Sequence, residues 1–366
     1  MHTRRLSLPG AIGVLAGSLV LASLAPAQAQ DEWRASAVLK DQKGSGWFLA
    51  FAPDGKSLAA ASGGFDQHTK RKLPNSVRLW DVGKRKLIRT LVADGPMVVG
   101  LAFTSDGKQL VRACYDGSFR RLDATTGKEV NRLKFGQHVG SVSFSPDRKL
   151  VLLVNPKAVR GQLRLQNEYQ LREVDTGKLV KPTRPFPTEP VLAVGPDARS
   201  LVITVIEAPD PRVKLPAGVV PLLPPTKGRL WDAKTGQMSA PLLQGMLTTA
   251  VFSPDGKLAL LTGLDLGGGG FGAIQFWNVA DKKLSGAKIP LAFKYHRFAF
   301  ADDSSLLAAA NDDSTIRLFE TTLMKEVAVV KGLTASADAM LFAPDGAMLA
   351  AAQADGTIRL WTRKSP

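Results

Sequence analysis

The chain has 366 residues, 45% apolar and 22% charged, an ordinary globular composition that suits one large repeat domain or two conventional ones. Its single cysteine, Cys114, excludes an intrachain disulfide, and 4 histidines are few for a metalloenzyme. The 48 Lys and Arg against 32 Asp and Glu give a formal charge of +16, which points to an anionic partner or to solvated basic turns.

The first stretch reads as an export pattern. Arg4 and Arg5 precede an apolar run from Ala11 to Ala25, and Ala27-Gln28-Ala29 places small residues where a signal peptidase reads. Residues 1–29 are expected to be a signal peptide cleaved after Ala29. The run is shorter than the roughly 20 residues of a spanning helix, so no membrane span is expected after cleavage. Thr3-Arg4-Arg5 leaves the Sec and twin-arginine routes both open. The expected location is exported, periplasmic or extracellular. That location argues against nucleic acid and leaves a protein or an anionic envelope polymer as partner.

After the leader, Trp33 to Lys40 is a short strand candidate. A repeated frame then occupies residues 33–366. Its clearest copy is FAPDGAMLAAAQADGTIRLW at 342–361, matched by FADDSSLLAAANDDSTIRLF at 300–319 and FTSDGKQLVRACYDGSFRRL at 103–122. Each copy is an apolar segment of strand length, a Pro-Asp-Gly reversal, a second apolar segment, an Asp-Gly reversal and a third strand. Proline fixes φ and glycine tolerates positive φ, which makes the reversal tight. A second turn, of the D-x-x-T-G-K kind, leads to a fourth strand. Four strands cannot bury both faces of their own sheet, so the copies must stack face to face.

Seven copies of this frame resemble the WD40 repeat family. The Trp-Asp pair stands at Trp80-Asp81 and Trp231-Asp232, and is altered to Trp277-Asn278, Leu122-Asp123, Val174-Asp175, Phe319-Glu320 and Trp361-Thr362. The resemblance implies an all-β fold: a seven-bladed β-propeller of four-stranded antiparallel blades. Copy seven has three strands before the chain stops, and the spare strand lies at 35–40. That N-terminal strand is expected to complete the last blade and remove an exposed edge. The family's Gly-His pair is missing. Its histidine slots hold Gln42, Asp94, Phe135, Pro185, Leu243, Leu291 and Leu333. The His–Asp–Trp network of the family is therefore expected to be absent, with Asp116, Asp313 and Asp355 bonded to amides of their own turns.

Anchor spacing locates the insertions. Uninserted copies span 20 residues, whereas Phe51 to Trp80 spans 30, Phe144 to Val174 spans 31, Val194 to Trp231 spans 38 and Phe252 to Trp277 spans 26. All four insertions fall between the second and third strands, so they emerge on one face of the disc, as loops that carry function. Their candidate contact residues are Lys70, Arg71, Lys72, Lys157, Arg160, Arg164, Arg212, Lys214, Leu222 and Phe271, cations beside an apolar segment.

Catalytic constellations are thin. His68, His138 and His296 belong to three separate copies, no G-x-S-x-G occurs, and the Gly267–Gly270 run lacks the Lys-Ser/Thr of a phosphate loop. Cys114 reads as a small core residue. No cofactor and no metal are expected. The expectation is a monomeric, noncatalytic binding or scaffold propeller of the bacterial envelope. The alternative is an envelope enzyme, hydrolase or lyase in type, with a site over the central channel on the insertion face.

Overall fold

The computed structural model describes residues 33–40, 45–65, 72–92, 95–136, 138–158, 165–181, 184–187, 189–206, 226–242, 246–265, 270–271, 273–290 and 295–364. These fall in one unit, Asp31–Pro366. The leader expected at 1–29 lies outside the described residues. Among those described, no helix is long and apolar enough to cross a membrane.

Strand β1 is Trp33–Leu39. Blade 1 holds β2 (Ser45–Phe51), β3 (Ser57–Phe65), β4 (Lys72–Asp81) and β5 (Lys86–Val92). Blade 2 holds β6 (Val98–Phe103), β7 (Gln109–Cys114), β8 (Ser118–Asp123) and β9 (Glu129–Lys134). Blade 3 holds β10 (Ser141–Phe144), β11 (Leu150–Ala158), β12 (Leu165–Glu173) and β13 (Leu179–Val180). Blade 4 holds β14 (Val191–Val194), β15 (Ser200–Ile206) and β16 (Thr226–Asp232). Blade 5 holds β17 (Met246–Phe252), β18 (Leu258–Asp265), the short β19 (Gly270–Phe271), β20 (Ala273–Asn278) and β21 (Lys283–Pro290). Blade 6 holds β22 (Tyr295–Phe300), β23 (Leu306–Asn311), β24 (Thr315–Glu320) and β25 (Lys325–Lys331). Blade 7 holds β26 (Ala337–Phe342), β27 (Met348–Gln353) and β28 (Ile358–Arg363), and β1 is its fourth strand.

Every pairing is antiparallel, giving a seven-bladed propeller of antiparallel four-stranded blades, with two departures among the described residues: blade 5 gains the short β19, and blade 4 has three strands. Blade 4 lacks a regular fourth strand and keeps a single bridge, Trp231 to Met238. Here the chain reads Gln237-Met238-Ser239-Ala240-Pro241, and proline cannot donate to a ladder. Irregular bonds cover the edge instead. Ser239 N donates to Leu230 O at 2.8 Å, Ser239 Oγ accepts from Leu230 N at 3.0 Å, and Leu242 N donates to Gly228 O at 2.8 Å.

First strands of neighbouring blades touch one another at six of the seven junctions, so they ring the axis. Burial follows that position. All of β6 is buried, whereas β9, the outer strand of the same blade, is exposed at nearly every residue. The buried apolar side chains divide into seven clusters, and each spans one junction between adjacent blades. The junction of blades 7 and 1, where Phe51 and Leu58 meet Ala350 and Leu360, is packed like the others. The ring is closed.

Closure is covalently remote and hydrogen-bonded locally. β1 pairs with β28 from Trp33↔Arg363 to Leu39↔Ile358. Leu39 is buried, and the Trp33 ring meets Phe342 edge-on at 5.8 Å.

The expected substitute for the His–Asp–Trp network is present. Asp116, Asp313 and Asp355 accept the amides of Ser118, Thr315 and Thr357 at 2.9 Å each. Phe135 and Leu333, at two of the histidine slots, are buried apolar residues. The tryptophans differ as a result. Trp361 Nε1 donates to Lys331 O at 2.9 Å, but the buried Nε1 atoms of Trp80 and Trp277 have no partner among the described residues. Removing one partner of a buried hydrogen bond leaves the other unsatisfied and costs about 1–3 kcal/mol, whereas removing a donor that has no partner relieves its desolvation penalty. Urea unfolding should therefore rank Trp361→Phe about 2 kcal/mol or so more destabilising than Trp80→Phe. Equal losses would show that the indole bond contributes nothing.

Candidate binding faces

All four insertions leave from the end of the disc where the second strand passes to the third, and in blades 1, 3 and 5 the flanking strands continue as paired arms, while the tips and residues 207–225 of blade 4 lie outside the described residues. β3 and β4 stay paired out to Phe65↔Lys72. β11 and β12 stay paired to Ala158↔Leu165, and β15 and β16 to Ile206↔Thr226. β18 extends to pair with β19 through Asp265↔Gly270. Each arm continues the ladder of the second and third strands, so its backbone polar groups remain satisfied as it leaves the disc. The ladder also fixes the direction of projection.

The candidate contact residues distribute unevenly. Lys70, Arg71, Arg160, Arg164, Arg212, Lys214 and Leu222 lie outside the described residues. Lys72 and Phe271 lie in β4 and β19. Lys157 lies in β11 and forms an ion pair with Glu168 on the facing arm. Both side chains are about half exposed, so the pair contributes little to stability, and Glu168 partly neutralises the cation. Of the histidines, His138 precedes β10 as expected, while His296 lies within β22. His68 lies outside the described residues. Among the described residues no three His, Cys, Asp or Glu gather as a metal set. Cys114 is buried, and desolvation raises its thiol pKa, so it is an inert core group.

The same face carries an apolar and aromatic rim that the repeat reading missed. Tyr115 and Met97 are exposed, joined by the bond from Tyr115 N to Met97 O at 2.8 Å. The His138 ring packs on Tyr115 at 5.4 Å. These residues stand at the turn between β7 and β8 and on the links into β6 and β10. An aromatic at the turn residue of Tyr-Asp-Gly, where other copies read Ala-Asp-Gly or Asp-Asp-Ser, was the available clue.

The opposite face is made of the first turns. Seven aspartates, Asp54, Asp106, Asp147, Asp197, Asp255, Asp303 and Asp345, each accept the amide two residues on. They are committed to their own turns. Gly55, Gly107, Gly256 and Gly346 take φ near +70° in these turns. In blades 3 and 6 Arg148 and Ser304 hold the same left-handed position, at φ of 58° and 63°. Both line a cleft of about 470 Å³ with Pro146, Pro254 and Asp302. Arg148 Nη2 reaches Asp302 Oδ1 at 3.4 Å, from blade 3 to blade 6. Burial pushes the Asp302 carboxyl up, and Arg148 opposes that shift. This pair spans the mouth of the ring, and the non-glycine in Ser-Pro-Asp-Arg was its clue in the sequence.

Blade 4 secures its irregular edge with another pair. Arg199 Nε lies 2.9 Å from Asp232 Oδ1, and Asp232 also accepts the amides of Lys234 and Thr235. The bond from Arg199 comes first among the causes that hold the Asp232 carboxyl far below the usual range.

Residues 325–362 match the WD40 family, described as WD domain, G-beta repeat. That match runs from β25, the outer strand of blade 6, through the three inner strands of blade 7. The chain is also similar to the WD repeat-containing protein SL1-17 of Schistosoma mansoni, 31% identical over 105 residues. The aligned part covers 29% of this chain, and the chain spans about a third (32%) of that relative's length. These similarities and the seven-bladed fold together support the WD40 family.

The Asp232 pair has a pH signature. A carboxyl whose native pKa is depressed adds stability above its ordinary value of 3.8, and that stability is lost as pH falls toward the native value. Asp232→Asn should lower the melting temperature at pH 7, and the difference from the parent should shrink steadily below pH 4. A pH-independent difference would mean that the carboxylate charge is not what stabilises blade 4.

Proposed function

We propose that this protein is a noncatalytic scaffold of the bacterial envelope that binds a protein partner through its hairpin-bearing face. The observation that carries this reading is that all four insertions leave from one end of the disc, three of them on strand arms that continue the ladder. Propellers of the WD40 type generally act as protein-binding scaffolds, and one repeat of this chain matches that family. The export pattern in the first 29 residues supports the envelope location, and the formal charge of +16 supports an acidic partner. The apolar rim of Met97 and Tyr115 suits a protein better than a uniformly anionic polymer.

The enzyme alternative draws on the carboxylates, and these gather at the opposite mouth. There each turn aspartate is already bonded to its own backbone, and Arg148 meets Asp302.

Crosslinked pull-down from the native envelope tests the reading. Residues 207–225 are replaced by Asn-Gly, which joins Ile206 to Thr226 through a two-residue hairpin turn. The trimmed protein should melt as the parent does and should lose the captured protein. If capture survives removal of this segment and also Tyr115→Ala, the face is wrong. If capture falls steeply as salt rises from about 0.05 to 0.5 M, the contact is cationic.

A further inference from the structure

One side chain breaks the apolar packing between blades. At the fourth residue of every second strand, each blade turns a side chain toward the preceding blade. Six of these are apolar: Ala60, Leu153, Ile203, Leu261, Ala309 and Ala351, all buried. Blade 2 places Arg112 there instead. Its cross-strand neighbour Leu101, and Leu110 two residues earlier on β7, both belong to the cluster between blades 1 and 2. Arg112 is 4% exposed.

The guanidinium is short of partners. Its buried Nε has none among the described residues, and Glu129 and Asp116 act on it only through space. Across the sheet Arg112 stands opposite Arg120, and Arg120 stands opposite Arg132. Like charges directly opposite repel. Two acids serve this row of three arginines. Asp116 pairs with Arg120 at 2.9 Å, and Glu129 lies 3.6 Å from Arg120 and 2.6 Å from Arg132. The unmatched cation is the buried one. Desolvation is the first cause that lowers its pKa, and the opposing attractions come from Glu129 and Asp116, which are already bonded to Arg132 and Arg120.

Its position is at the hairpin-bearing end. Arg112 precedes the Tyr115 turn by three residues, and a Cβ on Gly95 would sit 3.2 Å from Arg112 Nη1. Gly95 leads to Met97, whose carbonyl accepts the Tyr115 amide. A cation lacking an anion therefore lies beside exposed apolar and aromatic side chains, at the edge of the face already read as a binding surface.

We propose that Arg112 is a carboxylate-receiving subsite: it accepts an Asp or Glu side chain of the partner, whose neighbouring apolar residue packs on Met97 and Tyr115. The proposal rests on the scaffold reading for its face. It goes further in naming an acidic–apolar protein segment as the chemistry recognised. Planar guanidinium suits bidentate capture of a carboxylate, and a buried setting strengthens that bond. An uncompensated buried charge costs stability, so the free protein carries a strained site that the partner relieves.

The test uses the full-length protein and an immobilised set of heptapeptides. Each carries a central Asp or Glu beside Leu or Phe, and a matched set carries Asn or Gln. The parent should bind the acidic set at least about tenfold more tightly, equivalent to ~1.4 kcal/mol. Arg112→Leu, which installs the residue blades 3 and 5 already use, should lose that preference and melt at or above the parent temperature. Arg112→Met should do the same, and guards against one variant folding poorly. No acidic preference in the parent overturns the proposal, and so does a preference that survives in both variants. A lower melting temperature in Asp94→Asn that disappears in the Arg112→Leu background also overturns it, because the chain then supplies its own carboxylate. Equal binding of both peptide sets, abolished by Tyr115→Ala, removes the subsite and leaves the scaffold face standing. Acidic preference without loss of capture on removal of residues 207–225 removes that segment from the contact and leaves the subsite standing.

Discussion

The pairing of β1 with β28 is the constraint on which the rest of the structure depends. A blade buries its faces only against two neighbours, so an open row would leave two sheets uncovered. Joining β1 to β28 closes that row. It also gives blade 7 its fourth strand, and Leu39 enters the same apolar cluster as Phe51 and Leu360. The seven junction clusters then support one another around a ring, which makes closure a cooperative property rather than a local contact.

With closure in place, the two faces take different work. The first turns are held by aspartates bonded to their own backbone, and at the ring mouth Arg148 reaches Asp302 across from another blade. That face is occupied with its own geometry. The second and third strands are free to extend past the disc, because each added residue finds its ladder partner on the facing arm. Elaboration accumulates there at little cost to the ring. Polar irregularities gather at the same end, and Arg112 is the strongest of them: a cation in a seam that is apolar in six other blades.

The fold was legible in the sequence because its determinants are local and repeated. Pro-Asp-Gly and Asp-Gly reversals at fixed spacing define strand ends, and seven copies average out the altered ones. The closure strand was legible by counting strands in the first and last copies. The shortfall in blade 4 was not, since it follows from Pro241 and from Ser239 Oγ standing in for a ladder acceptor. The strand arms that flank the insertions of blades 1, 3 and 5 were not legible, because polar, Gly-rich stretches hide the two-residue period of a strand. Lys157 and Lys72 thus lie on strands. Arg112 lay in plain sight within LVRAC, but a lone Arg between apolar residues carries no meaning until the junction it faces is known. Contacts across the ring, such as Arg148 to Asp302, depend on blade number and cannot be read from one repeat.

Native-state hydrogen exchange tests the central claim most directly. If β1 closes the ring, the ladder amides of Trp33–Leu39 should be protected as strongly as those of Ile358–Arg363. Both sets should then exchange together, through global unfolding. Exchange of the β1 amides orders of magnitude faster, with β28 still protected, would contradict the account: the propeller would then hold its ring without that strand.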